Sequence, residues 1–159
     1  MPQHTGIRDV ILTQPIETLH EGKFLRLVRR GRWEFVQRKG KDHAVIILAL
    51  TSKNEVILIE QTRVPAGGRV LEYPAGLVGD IEGSEDETLE GTALRELHEE
   101  TGYEAKRVEK IFSGPPSPGL ASETITWFRA CDIEKTGPGG GDGSEDISVH
   151  SVPLAEVNA

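Results

Sequence analysis

The sequence predicts a layered, mixed α/β domain, and two observations support this fold class. Short apolar runs rich in Val, Ile and Leu, the pattern of β-strands, occur in both halves of the chain. Between the two groups of runs, residues 84–102 repeat apolar positions at the spacing of an amphipathic helix. A helix with one apolar face is stable when that face packs on a sheet. Strand groups on both sides of one helix therefore favour a layered α/β arrangement.

The predicted strands are separated by turns and loops that contain glycine, proline or short polar residues. The apolar runs 44–50 and 56–59 are joined through Ser52-Lys53-Asn54, which predicts a β-hairpin. Two Pro/Gly-rich loops, 113–119 and 137–144, lie between the later strands, and we expect the second loop to be mobile. The predicted strands are residues 24–30, 32–39, 44–50, 56–59, 69–73, 108–112, 124–130 and 147–152.

The predicted helix has a start signal, an apolar stripe and a stop signal. Ser84 followed by Glu87 is a capping-box pattern, and Gly102 is suited to the left-handed residue that ends a helix. The apolar stripe consists of Leu89, Ala93, Leu94 and Leu97. Residues 154–159 resemble the first turn of a further helix, and we expect the natural chain to continue beyond them.

Composition limits the classes of function. At 159 residues, the chain fits a single domain with a sizeable core. The formal net charge of −8 argues against general nucleic-acid binding, which requires a basic surface. No apolar run approaches the length of about 20 residues that crosses a bilayer, and residues 1–12 show no signal-peptide pattern. The single cysteine, Cys131, excludes an intrachain disulfide and favours a cytoplasmic location.

Three glutamates on the predicted helix are the strongest candidates for chemistry. Glu96, Glu99 and Glu100 stand at i, i+3 and i+4, so their carboxylates lie on one face of the helix. Their mutual repulsion would be offset by a hard divalent cation, because Mg²⁺ prefers carboxylate oxygens. Arg95 precedes Glu99 by four residues and is placed to orient that carboxylate. The competing interpretation is a solvated acidic helix face in an acidic protein.

The surrounding residues resemble those of a known family. Residues 95–103 read R-E-L-H-E-E-T-G-Y and resemble the second half of the Nudix box, G-x5-E-x7-R-E-U-x-E-E-x-G-U. Residues 73–77, Y-P-A-G-L, resemble the opening of that box in the ADP-ribose and nucleoside diphosphate sugar pyrophosphatase group of the Nudix hydrolases. Counted back from Arg95 the first Glu of the box is Glu87, whereas counted forward from Gly76 it is Glu82. The chain therefore carries about five extra residues, which we place in the loop before the helix.

Three further segments extend the resemblance over most of the chain. Residues 57–63, I-L-I-E-Q-T-R, are similar to the family strand that ends in E-Q-x-R, and Pro118 follows Tyr103 by fifteen residues as in the ADP-ribose group. Residues 144–147, S-E-D-I, resemble the acidic loop that supplies a late catalytic Glu in that group.

The resemblance implies a metal site and a general base. Glu96 and Glu100 are the expected ligands of Mg²⁺ or Mn²⁺, with Glu99 as a third ligand or orienting group and the Ala75 carbonyl as a further oxygen donor. Glu145 is the expected general base, on a loop able to close over substrate. The alternative for Glu145 is a mobile acidic surface residue. Asp146 and Glu123 are rival bases.

The resemblance also implies residues that bind substrate. Arg63 is expected to bind a phosphate, or else to form a surface salt bridge. Glu72 is expected to hydrogen-bond a sugar or base, or else to lie at a strand edge. Trp33 is expected to stack on a nucleobase held by another subunit, or else to lie in a core or dimer interface. The expected pocket for the non-nucleotide half is formed by Ser117, Pro118 and Gly119.

The resemblance implies a Nudix-type α/β/α sandwich, with residues 1–40 as an N-terminal β-strand region that dimerises and residues 41–159 as the hydrolase domain. The predicted reaction is divalent-metal-dependent hydrolysis of the diphosphate in ADP-ribose or a nucleoside diphosphate sugar, by a cytoplasmic homodimer with no nucleic-acid or membrane partner. The alternatives are a dinucleoside polyphosphate or coenzyme A hydrolase, a non-catalytic Nudix-fold module that senses nucleotides, and a structural protein with an incidental acidic helix.

Overall fold

A computed structural model describes residues 11–81, 83, 86–141, 143 and 145–157. Contacts divide the chain into two compact units, Met1–Asp42 with Pro115–Thr124, and His43–Gly114 with Ile125–Ala159. In the described ranges, no helix is long and apolar enough to span a membrane.

The first unit contains a three-stranded antiparallel sheet. Its strands are β1 (Glu17–Glu21), β2 (Leu25–Arg30) and β3 (Trp33–Arg38), in that order across the sheet. The turn between β2 and β3 places Gly31 at a φ of 59°, a conformation that glycine adopts without steric cost. The predicted strands 24–30 and 32–39 are thereby confirmed to within one residue at each end, whereas β1 was not predicted. Its five residues, Glu-Thr-Leu-His-Glu, are all exposed and contain no apolar alternation to detect.

The chain returns to the first unit at residues 115–124. The amide of Val36 donates to the carbonyl of Leu120 over 2.8 Å, and the amide of Ser122 donates to the carbonyl of Val36 over 3.1 Å. Arg38 donates from Nε and Nη2 to Glu123 Oε1 at 3.1 and 2.9 Å. These bonds fix the Pro/Gly-containing segment along β3.

The second unit is built on a seven-stranded sheet. Across it the order is β10-β5-β4-β9-β8, and β6 pairs with β5 while β7 pairs with β4. The predicted hairpin at 52–54 is confirmed, with Asn54 in the left-handed region at a φ of 58°. The strands are β4 (His43–Leu50), β5 (Glu55–Arg63), β6 (Gly68–Glu72), β7 (Ala75–Leu77), β8 (Tyr103–Gly114), β9 (Thr124–Lys135) and β10 (Ser148–Pro153).

One helix of the second unit, α1 (Leu89–Thr101), carries the candidate glutamates. The predicted start at Ser84 is wrong. Thr88 is the N-cap, with extended backbone and a side-chain oxygen that accepts from the Gly91 amide at 3.0 Å. Ser84 lies outside the described residues. The predicted stop is confirmed, since Gly102 has a φ of 69° and its amide donates to the carbonyl of His98 at 2.7 Å.

The apolar stripe of α1 packs on the sheet. Ala93 and Leu97 are fully buried in one cluster with residues of β4, β5 and β9, and Leu89 packs against its edge. Burying a leucine side chain such as that of Leu97 stabilises the fold by roughly 2–3 kcal/mol. The buried side of α1 also contains Glu96 and Glu100, so this packing fixes the position of their carboxylates. The buried cluster comprises Val45, Ile47, Ala49, Ile57, Val78, Ala93, Leu97, Phe128 and Ala130.

Two further expectations need correction. The segment after β10 forms a short 3₁₀ turn, Leu154–Glu156, where a helix was predicted. The glycine-rich loop, expected to be mobile, is tied down over residues 137–141: the Gly137 amide bonds the carbonyl of Gly102, the Gly140 amide that of Glu100, and the Gly141 amide that of Glu99. Local sequence patterns do not predict these hydrogen bonds, because the partners are more than thirty residues apart in sequence.

Candidate active site

Strand β7 and helix α1 bring the two halves of the predicted site together. The Ala75 amide donates to Glu100 Oε2 at 2.9 Å. A Cβ placed on Gly76 would lie 1.9 Å from Glu96 Oε1, so this carboxylate lies directly against the glycine backbone. The segment Ala75-Gly76 and the helix glutamates therefore form one contiguous surface in the second unit.

Arg95 lies at the centre of this acidic surface. Its Nη1 is 2.9 Å from both Glu96 Oε1 and Glu99 Oε2, and its Nε is 3.1 Å from Glu87 Oε1. Its Nη2 also reaches Asp80 Oδ1 at 3.4 Å. Burial opposes the charge of Arg95, but its hydrogen bond to Glu87 and the charges of Glu96 and Glu87 outweigh burial and raise the pKa of the guanidinium. Arg95 thus remains charged and can orient the carboxylates around it.

Glu96 and Glu100 are buried carboxyl groups that resist ionisation. Glu96 is 8 % exposed and Glu100 is 2 % exposed. Burial, with the charges of Asp80 and Glu99 adding to it, raises the pKa of Glu96 to about 7 although Arg95 opposes the shift. Burial, with the charges of Glu96 and Glu145 adding to it, raises the pKa of Glu100 to about 8. A nearby cation would stabilise the ionised form of both groups.

These shifts predict how the stability of the metal-free protein depends on pH. A carboxyl group whose pKa is higher in the folded state than its ordinary value of 4.5 binds its proton more tightly when folded. The stabilisation is complete below pH 4.5 and is lost as the pH rises through about 7 to 8. The midpoint of thermal unfolding in EDTA is therefore expected to fall by roughly 5–10 °C between pH 5.5 and 8.5.

Differential scanning calorimetry of the wild type and a Glu96→Gln/Glu100→Gln variant measures this effect. The variant retains every other titrating group, so subtracting its pH profile isolates the two glutamates. Identical profiles for the two proteins would contradict the assignment of the shifts.

Arg63 and Glu72 form a second polar pair close to the glutamates. Arg63 donates from Nε and Nη2 to the carboxylate of Glu72, at 2.7 to 3.1 Å. The hydrogen bond with Glu72 outweighs burial and raises the pKa of Arg63, and the charges of Glu100 and Glu145 add to the rise. The electrostatic coupling of Arg63 to both acids shows that Arg63, Glu100 and Glu145 share one neighbourhood.

The rival bases are engaged elsewhere. Asp146 is paired with Arg69 at 2.7 Å, and Glu123 accepts both bonds from Arg38 in the first unit. Glu145 is exposed, and its charge contributes to the raised pKa of Glu100. The charge of Glu145 therefore acts on one of the helix glutamates.

The other predicted substrate residues lie in the first unit. Trp33, Pro118 and Gly119 line a cavity of about 310 Å³, and Trp33 is 48 % exposed. The exposed indole excludes the interpretation of Trp33 as a core residue of this chain. Ser117 is not part of that lining; its carbonyl accepts from the amides of Leu120 and Ala121 at 2.9 and 3.0 Å. The rest of the lining is Ile11, Leu12, Arg30, Phe35, Ala121 and Ser122.

Sequence reasoning missed some contacts and left others undecided. Glu87 fits both the capping-box pattern and the first Glu of the Nudix box; it accepts from Arg95 and from Thr92 Oγ1, the latter at 3.0 Å. Counting the box back from Arg95 therefore gives a glutamate that reaches the site, while Glu82 lies outside the described residues. Asp80 was missed because its contact spans fifteen residues and a loop of unusual length.

The donor set has the chemistry of a hard-cation site, but its carboxylates are occupied by protein partners. In the described ranges, no three His, Cys, Asp or Glu side chains are grouped to hold a metal ion. Glu96 and Glu99 pair with Arg95 through one oxygen each, and Glu100 accepts from Ala75. Binding an ion here requires the carboxylates to turn, in part, from these partners.

Comparison with known proteins decides the family. The model of the NUDIX domain matches residues 40–159. The chain belongs to the NUDIX family. The NUDIX match includes β7, α1 and Glu145, so the candidate metal ligands and the candidate base lie inside the matched region, whereas Trp33 lies outside it.

The chain is also similar to three curated relatives and one solved structure. The chain is 37% identical over 125 residues to a methanol dehydrogenase activator of Bacillus methanolicus, covering 78% of this chain and 63% of that protein. It is 41% identical over 105 residues to an ADP-ribose pyrophosphatase of Bacillus subtilis, covering 66% and 52%. It is 34% identical over 169 residues to a GDP-mannose pyrophosphatase of Escherichia coli K12, covering 98% and 84%.

The chain thus spans between half and two thirds of the length of the first two relatives. The crystal structure of an ADP compounds hydrolase superposes with a TM-score of 0.71 at 22% identity, covering 89% of this chain and 77% of that one. The likeness confirms the predicted α/β fold class and the Nudix-type fold.

Proposed function

We propose that the protein hydrolyses the diphosphate of ADP-ribose or a nucleoside diphosphate sugar, giving a nucleoside monophosphate and a sugar phosphate. The observation that carries this proposal is the pair of buried glutamates, Glu96 and Glu100, held against Ala75-Gly76 with raised pKa values. The names of the relatives from Bacillus subtilis and Escherichia coli support the substrate class.

The cofactor in this proposal is Mg²⁺ or Mn²⁺. Glu96 and Glu100 are its ligands, with Glu99 and the Ala75 carbonyl as further oxygen donors. Carboxyl groups that are buried and have raised pKa values are suited to bind a cation, because a positive charge would offset the free energy lost on ionising them. When bound, the metal would neutralise the diphosphate and lower the pKa of a coordinated water.

The residues of this chain supply positioning and proton transfer. Arg63 binds a phosphate oxygen through its guanidinium, exchanging part of its pairing with Glu72, which is then able to accept from a sugar or base. Glu145 accepts a proton as the oxygen of water bonds to phosphorus and the bridging P–O bond breaks. Arg95 orients Glu99 and Glu96 on the helix face.

We propose that Trp33, whose exposed indole lines a cavity of the first unit, stacks on a nucleobase held by another subunit. Pro118 and Gly119 line the same cavity and are proposed to form part of a pocket for the non-nucleotide half of a substrate. Ser117 is proposed to shape this segment through its carbonyl bonds.

We propose that residues 1–40 build a homodimer of a cytoplasmic enzyme whose hydrolase domain is 41–159. Phe24, Leu25 and Leu27 in the N-terminal sheet region are 66 %, 46 % and 38 % exposed, and their apolar area favours burial by a second copy. Sedimentation velocity is expected to give twice the chain mass of 17.4 kDa. A single species at the chain mass at micromolar concentration would refute the dimer.

The proposed activity is tested with a substrate panel. Wild-type protein with Mg²⁺ or Mn²⁺ is incubated with ADP-ribose, GDP-mannose, UDP-glucose, a diadenosine polyphosphate and coenzyme A, and the nucleoside monophosphate is quantified. Turnover is expected for ADP-ribose or a nucleotide sugar, and EDTA is expected to abolish it. Preferential cleavage of the last two substrates would select the runner-up hydrolase classes. Tight nucleotide binding in calorimetry without turnover would replace the enzyme by a sensing module.

A further inference from the structure

The glycine segment, residues 137–141, leads to Glu145 and is hydrogen-bonded to the end of α1. The Gly140 amide donates to the carbonyl of Glu100 at 2.8 Å, and the Gly141 amide donates to that of Glu99 at 3.0 Å. Lys135 donates to the carbonyls of Thr101 and Pro138 at 2.6 and 3.3 Å. The backbones of two candidate metal-site residues are thus tied to the chain that leads to the candidate base.

The close approach of the glycine segment to α1 requires glycine at positions 139 and 102. Gly139 has a φ of +72°, and a Cβ there would lie 2.4 Å from the carbonyl carbon of Thr101. The corresponding Cβ on Gly102 would lie 2.2 Å from the carbonyl oxygen of Gly137. Any side chain at either position would push the segment away from the helix, since such short approaches to backbone atoms cannot be relieved by a side-chain rotation.

Gly141 contacts the candidate base itself. Its φ is +80°, and a Cβ built on it would lie 2.4 Å from Glu145 Oε2 and 3.0 Å from Glu145 Cβ. The Glu145 carboxylate therefore lies directly over the Gly141 backbone. A side chain at this position would occupy the space of that carboxylate.

The neighbouring residue, Asp146, fixes the same loop from its other side. Arg69 Nη1 donates to Asp146 Oδ2 at 2.7 Å, and Arg69 Nη2 donates to Ser148 Oγ at 3.1 Å. Arg69 lies on β6 and is itself held by Glu60 of the neighbouring strand β5. Its Nε donates to Glu60 Oε1 at 2.9 Å, and its Nη2 donates to the Glu60 carbonyl at 3.0 Å. Exposed pairs of this kind contribute little to stability, so geometry is their main effect.

We propose that Gly141 and the Arg69–Asp146 pair are positioning residues that hold Glu145 at the helix glutamates. This inference rests on the proposed function, in which Glu145 accepts the proton of water. Gly141 provides the space in which the carboxylate lies, and Arg69 anchors the chain one residue beyond it. Neither residue contacts the reacting atoms in this proposal; both act through Glu145.

The test compares Gly141→Ala with Gly143→Ala in the dimeric or monomeric full chain, with ADP-ribose or GDP-mannose. Gly143 has a similar φ of +90°, but a Cβ there meets nothing within 4 Å, so it reproduces the backbone strain without displacing Glu145. Gly141→Ala is expected to lower kcat roughly 10- to 100-fold beyond Gly143→Ala, with KM unchanged within about twofold, since a small displacement of a catalytic group has effects of this size. Arg69→Met is expected to lower kcat in the same sense, and Arg69→Lys to restore part of it.

Measurements on Glu145→Gln, alone and combined with Gly141→Ala, distinguish the role of Glu145 as the base from the role of Gly141 in positioning it. If Gly141 acts through Glu145, adding Gly141→Ala to Glu145→Gln lowers kcat no further. If Glu145→Gln leaves kcat unchanged, the assignment of the base in the proposed function is wrong. Two outcomes would overturn the positioning inference while leaving the proposed function intact, provided that Glu145→Gln itself lowers kcat. In the first, Gly141→Ala has the same kcat as Gly143→Ala. In the second, Gly141→Ala lowers kcat by its full factor even when Glu145→Gln is already present.

Discussion

Glu100→Gln is expected to reduce hydrolysis of ADP-ribose or GDP-mannose by at least about a thousandfold. Gln retains the size of Glu and can still accept the hydrogen bond from the Ala75 amide, but it cannot supply a negative charge to a cation. The loss should therefore appear in kcat and persist at saturating Mg²⁺. Steady-state assays of nucleoside monophosphate release at pH 8 measure it.

The same substitution is expected to stabilise the metal-free protein. Burial raises the pKa of Glu100 to about 8, so at pH 8.5 the folded wild type carries an ionised carboxylate in an unfavourable environment. Removing that charge should raise the free energy of unfolding by on the order of 2 kcal/mol and the thermal midpoint by roughly 4–8 °C. A gain in stability with a loss of activity is the result expected of a cation-binding site, because charges assembled for a ligand destabilise the protein without it.

Glu90→Gln is the matched control on the same helix. Glu90 lies in the first turn of α1 and is exposed, so its replacement should change neither activity nor stability appreciably. An active Glu100→Gln enzyme would rule out Glu100 as a ligand. A Glu100→Gln protein that is inactive and less stable would indicate a structural defect instead.

Gly76→Ala is expected to damage both the fold and the activity. The added Cβ would lie 1.9 Å from Glu96 Oε1 and 2.0 Å from Glu96 Cδ, so the glutamate or β7 has to move. The Glu96 carboxylate is buried and paired with Arg95, which leaves it little freedom to rotate. We expect a loss of about 2–3 kcal/mol in the free energy of unfolding, the usual cost of overpacking, and at least a hundredfold loss of kcat.

Urea denaturation and steady-state kinetics measure the two losses, with Gly68→Ala as the control. Gly68 begins β6 and a Cβ there meets no atom within 4 Å, so its substitution tests a glycine of the same sheet without the contact. Equal behaviour of the two variants would mean that the close approach of β7 to α1 does not exist in solution.

The sequence was sufficient for the face of α1 and for most of the strands. The grouping of Glu96, Glu99 and Glu100 depends only on the helical repeat, which is a local property. The burial of Glu96 and Glu100 on the same side as Ala93 and Leu97 was not predicted. The contact between residues 73–77 and the helix required the family resemblance, because nothing in local periodicity relates two segments twenty residues apart. The structure then supplied the atoms of that contact, the Ala75 amide and Glu100 Oε2.

The contacts made by loops could not be predicted from the sequence. Ser84 and Thr88 are both acceptable N-caps by residue type, and the choice between them depends on where the preceding loop delivers the chain. Glu87 carried a capping pattern, yet its carboxylate is directed at Arg95. The fixed position of the glycine segment depends on α1 carbonyls some forty residues earlier, and glycine composition alone predicted the opposite behaviour.

The closure of the end of α1 by the glycine segment has a consequence for how the protein is made. Because the partners of the Glu99 and Glu100 carbonyls are the amides of Gly141 and Gly140, the last turn of α1 cannot acquire them until the whole β8–β9 hairpin has been synthesised. At a translation rate of about 5–20 residues per second, the interval from residue 100 to residue 141 lasts roughly 2–8 seconds. During that interval the carbonyls of Glu99 and Glu100 lack their native hydrogen-bond donors, so the acidic end of the helix is completed only after the rest of α1.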